Sequence, residues 1–318
     1  MICSTIIPTI GRSTLQRAVC SVLDQELGSE EHEVIVVNDS GAPLPPAAWC
    51  DDPRVRIVTT NRCERSAARN VGAALAHGTY ICFVDDDDYL LPGALWALLH
   101  AARAGSCNRT YGGLRCVNDE GRFVREVYPA VEGNIMALLL AGESIAMVGS
   151  LVHRKEFIAV GGFDQTLNVR EDYDLECRLA LVGDVARADS LVACVRVGNG
   201  FTSTDWSRMQ LATRRAREKL LNDQQLVVRL RAAMADDFIR GRVCRTYAVS
   251  AAQHLRDWRP FVALERLVVA LYLAGAHLIA LRFWKGVAFT GYGALATLAP
   301  HQAAMDALAL VLATPLLA

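Results

Sequence analysis

Tyr80-Ile81-Cys82-Phe83-Val84-Asp85-Asp86-Asp87-Asp88 sets five apolar residues directly before four carboxylates. A buried strand that ends in clustered like charges is costly: the carboxylates repel, and their pKa values rise unless a cation or water relieves them. Hard divalent cations such as Mg²⁺ and Mn²⁺ take oxygen ligands, commonly one or two carboxylates completed by substrate phosphates. Taken alone, a run of Asp fits a solvated loop tip. The segments on either side decide against that.

Upstream, Cys3–Pro8 is apolar and β-branched and turns through Thr9-Ile10-Gly11-Arg12 into a helical stretch, Ser13 to Leu23. Glu33–Asn38 reads as a second buried strand before the turn Asp39-Ser40-Gly41, and Val55–Thr60 as a third. A helix from about Ser66 to Ala76, closed by Gly78, leads into the strand Tyr80–Val84. Strands alternating with helices imply a mostly parallel sheet covered on both faces. Such sheets bind ligands at the carboxyl ends of their strands. Thr9, Asp39 and Asp85–Asp88 each follow a different strand, so they are predicted to converge on one edge.

Downstream the pattern changes. A helix, Gly93–Ala104, precedes two antiparallel strands, Arg109–Val117 and Phe123–Tyr128, joined by Asn118-Asp119-Glu120-Gly121. An apolar helix (Val131–Ala141), a strand (Ala146–His153) and Gly161-Gly162-Phe163-Asp164 follow. Glu171-Asp172-Tyr173-Asp174 opens a helix to about Leu181. Acidic residues suit a helix's first turn. Three in four residues exceed what capping needs, and one of them is expected to face the cleft.

The 318 residues balance 33 Lys+Arg against 34 Asp+Glu, so no global field advertises nucleic-acid binding. The mean hydropathy, +0.21, is slightly apolar. The ten cysteines are scattered without a CxxC pair, which suggests neither zinc nor a redox dithiol and is simplest in a reduced, cytoplasmic setting. The start shows no basic-then-apolar signal-peptide pattern, so none is expected. Between Arg208 and Arg266, 13 Lys/Arg face 6 Asp/Glu, and beyond Leu267 only Arg282, Lys285 and Asp306 are charged. A basic segment followed by apolar helices fits peripheral contact with the cytoplasmic face of an anionic membrane through 208–318. A helical lid or an oligomer interface fits equally well.

The ordered set STIIPTIGR, EVIVVNDSG, SAARNVGAALAHGTYICFVDDDD, GGFD and EDYDLECRLA resembles a family 2 glycosyltransferase of GT-A fold over roughly residues 3–200. The resemblance implies a catalytic domain at 1–206, with a nucleotide-sugar half (1–104) and an acceptor half (105–206), and a helical region at 207–318. It implies transfer of a sugar from a nucleotide diphosphate-sugar, UDP-linked by expectation, with inversion at the anomeric carbon and Mn²⁺ or Mg²⁺. The acceptor, a saccharide or lipid-linked sugar, is not readable. Cell-surface polysaccharide or glycolipid synthesis is the expected setting.

Residue by residue, the resemblance puts Pro8 and Thr9 near the nucleotide and Asp39 on its base, where an Asx-turn before Gly41 is the structural alternative. Arg69 and Asn70 match an Ala-Arg-Asn signature, with Arg69 able to orient an acidic loop or approach the diphosphate. Asp85-Asp86-Asp87 matches the DXD motif: Asp85 toward ribose or a metal-bound water, Asp86 the variable middle position on the donor side, Asp87 on the metal. Asp88 is expected to cap the following turn. Asp172 matches the catalytic base, with Glu171 and Asp174 as rivals. Asp164 lies where donor sugar or acceptor is met, with a plain turn as the alternative. Two departures stand out: Asn38 replaces a frequent second Asp, and Glu64-Arg65 replaces a Gly common before the Ala-Arg-Asn signature. The Gln-x-x-Arg-Trp motif of processive synthases is absent, which favours single addition. Arg196 and Trp206 flank a Gly/Ser/Thr-rich stretch, 197–205, which could close over the acceptor. Competing readings are a non-catalytic nucleotide-sugar scaffold and a sugar nucleotidyltransferase, the latter lacking a Gly-rich phosphate loop here. A dehydrogenase is disfavoured because no GxGxxG follows the first strand.

Overall fold

A computed structural model describes residues 1–28, 31–61, 64–105, 107–141, 143–197, 206–221 and 223–288. In chain order the elements are β1 (Cys3–Thr9), α1 (Leu15–Leu23), β2 (His32–Asn38), β3 (Val55–Thr59), α2 (Arg65–Leu75), β4 (Tyr80–Phe83), β5 (Tyr89–Leu90) and α3 (Ala94–Ala104). Next come β6 (Arg109–Val117), β7 (Phe123–Val127), α4 (Met136–Ala141), β8 (Ser150–His153), α5 (Arg154–Ala159), α6 (Glu171–Val182) and β9 (Val185–Arg196). The remainder is helical: α7 (Trp206–Leu221), α8 (Gln224–Met234), α9 (Asp237–Arg256), α10 (Pro260–Ala274) and α11 (Leu281–Ala288).

The chain forms two compact units: Met1–Glu132 with Ala146–Leu175 and Gly183–Ala212, and Gly133–Ile145 with Glu176–Val182 and Thr213–Ala318. All nine strands lie in the first. Their order is β3-β2-β1-β4-β8-β6-β9-β5, with β7 on β6. β3, β2, β1 and β4 run parallel, while β8 is antiparallel to both β4 and β6. The sheet is therefore mixed α/β, parallel in its nucleotide-type half. β1 and β2 are buried at every position, as expected of strands covered on both faces. α2 sits close to β1 because its packed face is small: a Cβ at Gly72 would lie 2.5 Å from Ile6 Cγ2. The register pairs Thr9 with Asn38 and Ile6 with Phe83. Thr9, Asp39 and Asp85–Asp88 thus emerge at one carboxyl edge.

Some elements differ from expectation. The helix foreseen from Val131 begins only at Met136: Gly133 has φ +81°, and Asn134 Oδ1 accepts from Met136 N at 3.1 Å. The strand foreseen from Ala146 begins at Ser150, after Gly149 at φ +67°. α5, β5 and the 12-residue β9 carried no recognised signal.

In the second unit, buried Arg242 pairs with Glu143, which also accepts from Thr246 Oγ1 at 3.1 Å. α9 and α11 touch backbone to backbone: a Cβ at Gly241 would lie 2.1 Å from Phe283 O, and one at Gly286 2.2 Å from Phe238 O. Among the described residues, Pro260–Ile279 alone is long and apolar enough to cross a membrane by length and composition. The apolar segment 307–313 and the loop 198–205 lie outside the described residues.

Candidate active site

At the carboxyl edge each aspartate of the run has a different environment. Asp86 is buried and accepts from Thr9 Oγ1 at 2.6 Å and from Arg12. Thr9 Oγ1 in turn accepts from Gly11 N at 2.9 Å. The middle aspartate therefore fastens the loop after β1 rather than merely spacing its neighbours. Asp88, also buried, accepts from Arg196 N at 2.8 Å. The expected turn cap instead ties the acidic turn to the end of β9. Burial, then Asp85, pushes the Asp88 carboxyl well above the usual range.

Asp85 and Asp87 remain partly open, with side chains 36% and 33% exposed. Asp85 Oδ1 accepts from Arg69 Nη2 at 2.6 Å. Burial works against the charge of Asp85, but Arg69 outweighs it and holds the pKa below the usual value. Asp87 lies the other way. Its burial, with Asp85 and Asp86 nearby, raises its pKa despite Arg12, whose Nη1 is 3.7 Å from Oδ2. Like charges crowded into one turn leave the site short of positive charge.

Pro8 is buried within β1. At the end of β2, Asn38 takes the Asx-turn: its Oδ1 accepts from Ser40 N at 3.1 Å and Ser40 Oγ at 2.7 Å, and its amide donates to Ala42 O at 2.8 Å. The Asx-turn that was the structural alternative for Asp39 is thus made by its neighbour. Asp39 accepts from Thr60 Oγ1 at 2.6 Å and Glu64 N at 3.1 Å. Glu64 caps α2 through Ser66 N at 3.0 Å and has φ +98°. That backbone favours glycine, which accounts for the residue type the resemblance led one to expect here.

α2 then reaches the second acidic cluster. Arg69, buried, donates to Glu171 Oε1 at 3.1 Å as well as to Asp85, and Arg65 Nε lies 3.0 Å from the same Glu171 oxygen. Burial opposes the Arg69 charge, yet the two carboxylates hold its pKa above the ordinary value. Burial, then Asp172, raises the pKa of Glu171 against Arg65 and Arg69. Glu171 and Asp174 are buried. Asp172 is the member of the cluster left half-buried, with Oδ1 accepting from Tyr173 N at 2.7 Å.

Asn70 clamps the GGFD segment, donating to Phe163 O at 2.8 Å and accepting from Phe163 N at 2.9 Å. A Cβ at Gly162 would lie 2.7 Å from the Asn70 amide oxygen, so this glycine makes room for the clamp. Asp164 accepts from Thr166 N and Oγ1 at 2.8 and 2.7 Å, the local turn that was the alternative reading. Arg12 and Arg65 were given no site role from sequence. Their signal was position alone, as basic residues directly after β1 and at the head of α2. Among the described residues no three His, Cys, Asp or Glu converge as a ready-made metal cage. A cavity of about 950 Å³ opens at the opposite, amino edge, against His32, Glu33, Arg54, Arg56 and His77, away from the aspartates.

A half-parallel sheet with an acidic turn at its carboxyl edge, bridged to a second acidic helix start, has the GT-A layout of the nucleotide-sugar glycosyltransferases. Residues 4–149 match the family model Glycosyl transferase family 2, which supports a family 2 glycosyltransferase. It is 31% identical over 177 residues to the succinoglycan biosynthesis protein ExoO of Rhizobium meliloti, covering 51% of this chain and 50% of that one. It is 30% identical over 109 residues to a GalNAc(5)-diNAcBac-PP-undecaprenol beta-1,3-glucosyltransferase of Campylobacter jejuni, covering 32% and 35%. The chain spans 61% and 50% of the length of the first two curated relatives it matches. The crystal structure of S. aureus TarS 1–349 in complex with UDP-GlcNAc shares the fold, with TM-score 0.59, 14% identity and 85% and 90% coverage.

Proposed function

We propose that this chain is an inverting glycosyltransferase that moves a sugar from a nucleotide diphosphate-sugar to an acceptor hydroxyl. The observation that carries this reading is the Arg69 bridge, which holds Asp85 of the first acidic cluster and Glu171, next to Asp172, on one guanidinium. A leaving-group site and a base are thus joined by one side chain.

The donor is proposed to be UDP-linked. The carboxylate of Asp39 at the end of β2 suits a pyrimidine N–H, and the similar TarS structure is a UDP-GlcNAc complex. Asp87, with Asp85, suits a hard cation. The pair is oxygen-only, partly exposed and crowded, and Mg²⁺-like ions are held by one or two carboxylates with phosphates completing the shell. Mn²⁺ or Mg²⁺ held there would supply Lewis-acid neutralisation of the departing diphosphate. Arg12 and Arg69 add fixed positive charge where that negative charge grows.

Asp172 is the proposed base. As the acceptor oxygen bonds to the anomeric carbon, its proton passes to the Asp172 carboxylate. The bond from that carbon to the phosphate oxygen breaks, with the nucleoside diphosphate leaving on the opposite face. Arg65 and Arg69 hold Glu171, the residue before Asp172, in place. The proposed acceptor is a lipid-linked saccharide at the cytoplasmic membrane face, in polysaccharide or glycolipid synthesis, as the names of the two sequence relatives suggest.

A panel of nucleotide sugars, assayed with and without Mn²⁺ for donor hydrolysis and transfer, tests the reading. Asp172→Asn should lower kcat about 10²–10⁴-fold with donor affinity kept, and Asp87→Ala should remove metal-dependent donor binding. Unchanged turnover in both would refute the mechanism, whereas donor binding by the parent with neither hydrolysis nor transfer would favour a binding scaffold.

A further inference from the structure

We propose that the outward face of α10 and the residues flanking it form a docking surface for an anionic phospholipid bilayer. One side of α10 is packed: Ala263, Arg266, Val269, Ala270, Leu273 and Ala274 are buried, and α9 lies against the helix. On the other side Phe261, Leu264, Leu267, Val268, Leu271 and Tyr272 are 45–87% exposed. At about 100° per residue these six fill one continuous arc of the helix. Glu265, at the margin of the arc, is its one charged residue. A helix face this apolar and this exposed marks an interaction site rather than ordinary surface.

What flanks the arc identifies the partner. Trp258 before the helix and Ile279 after it are 92% and 93% exposed. Arg256 and Arg259 lie before the helix with Asp257 between them, and Arg282 and Lys285 after it, all exposed, with Arg282 Nη2 2.7 Å from Asp236. An apolar face with an exposed Trp at one shoulder and cations at both ends is the signature of a helix lying in the plane of a membrane interface. Charge complementarity separates the occupants. A second copy would bring like-charged ends toward each other, whereas anionic headgroups neutralise them. The stretch Pro260–Ile279 has the length to span a bilayer. However, Glu265 and Arg266 sit in its body, and spanning would strip the packing against α9 and carry both charges into hydrocarbon.

This deepens the lipid-linked acceptor proposed above. Vesicle binding is read without donor or acceptor, so either idea can fail alone. The full chain is floated with phosphatidylglycerol/phosphatidylcholine vesicles and with pure phosphatidylcholine. Binding to the anionic vesicles that weakens with salt is expected. Val268→Glu/Leu271→Glu should lower the partition coefficient at least about tenfold, with helicity and donor hydrolysis kept as evidence of intact folding. Arg256→Glu/Arg259→Glu should cause a loss of at least about tenfold on anionic vesicles only. No vesicle binding, or variants that bind like the parent, would overturn the proposal. So would a dimer that Val268→Glu/Leu271→Glu dissociates, or a chain that resists alkaline extraction from cell membranes as a spanning protein does.

Discussion

Replacing Arg69 by Met keeps the aliphatic stem and removes the charge that joins the two acidic clusters. Arg69 donates 2.6 Å to Asp85 and 3.1 Å to Glu171, and each hydrogen bond to a charged group is worth about 1.5–3 kcal/mol. Two features favour the low end. Asp85 is about a third exposed and can recover water, and Glu171 retains Arg65 at 3.0 Å. The expected loss is about 3 kcal/mol, a fall in Tm of roughly 6–12 °C for a unit of this size. Transfer should suffer more than stability suggests. A shift of about 1 Å in Asp85 or in the start of α6 costs roughly 10²-fold in kcat/KM.

The pH dependence makes the reasoning refutable. In the parent, Asp85 is held below its usual pKa by Arg69, so its contribution is present at neutral pH and is lost as pH falls through that lowered value. In the variant Arg65, and for Asp85 also Arg12, still oppose burial, but the strongest counter-charge on Asp85 is gone. Asp85 and Glu171 would bind protons more readily folded than unfolded, and acid would then stabilise the variant. The Tm deficit should therefore be largest near about pH 8 and narrow toward about pH 5. A deficit constant across that range would refute the account, as would no deficit at all. Arg69→Met with Glu171→Gln should recover part of the loss in a double-mutant cycle.

Asp87 has a raised pKa, so its charged form weakens the fold, and stability falls as pH rises between its unfolded and folded values. Asp87→Asn should raise Tm by calorimetry while abolishing Mn²⁺-dependent donor binding, whereas an Asn variant no more stable than the parent would contradict the crowding argument. For Glu64→Gly, relief of the φ +98° strain should outweigh the lost cap and stabilise by about 0.5–1 kcal/mol in denaturant unfolding, whereas Glu64→Ala, keeping the strain without the cap, should destabilise by about 1 kcal/mol. Glu33 is pulled below its usual 4.5: burial opposes its charge, but Ser4, His77 and Arg56 overcome that. Glu33→Gln should thus cost roughly 2 kcal/mol at neutral pH, with the two melting curves converging as pH drops below 4.5.

The parallel half of the sheet was legible because β1, β2 and β4 are apolar runs flanked by turn residues, a pattern that needs no tertiary information. β9 was not. Arg187 and Asp189 interrupt its apolar positions, and register shifts in its pairing with β6 displace its alternation. The helix at 131–141 was overextended because apolar composition hides a backbone event, the left-handed Gly133. At the site, the two acidic clusters could be read as clusters, since their residues are adjacent. Which carboxylate meets which cation could not, because Arg69 finds Glu171 across 102 positions and Arg12 finds Asp86 across 74. Sequence spacing carries nothing about such contacts. The Asx-turn weighed as the alternative for Asp39 falls one residue earlier: Asn38 and Asp39 are chemically equal candidates, and strand register made the choice.

Helix α2 sets a length standard for the catalytic edge. Arg65 and Arg69 stand one turn apart on a common face, with Asn70 adjoining, and these three residues hold Glu171, Asp85 and Phe163. One inserted residue between Ser66 and Ala68 would rotate everything after it by about 100° and advance it by about 1.5 Å. Arg65 would then point away from Arg69, and no single side-chain rearrangement could restore both. Insertions are therefore tolerable in the surface loops of this chain but not in the first two turns of α2, and a library of single-residue insertions scored for transfer should show a gap there.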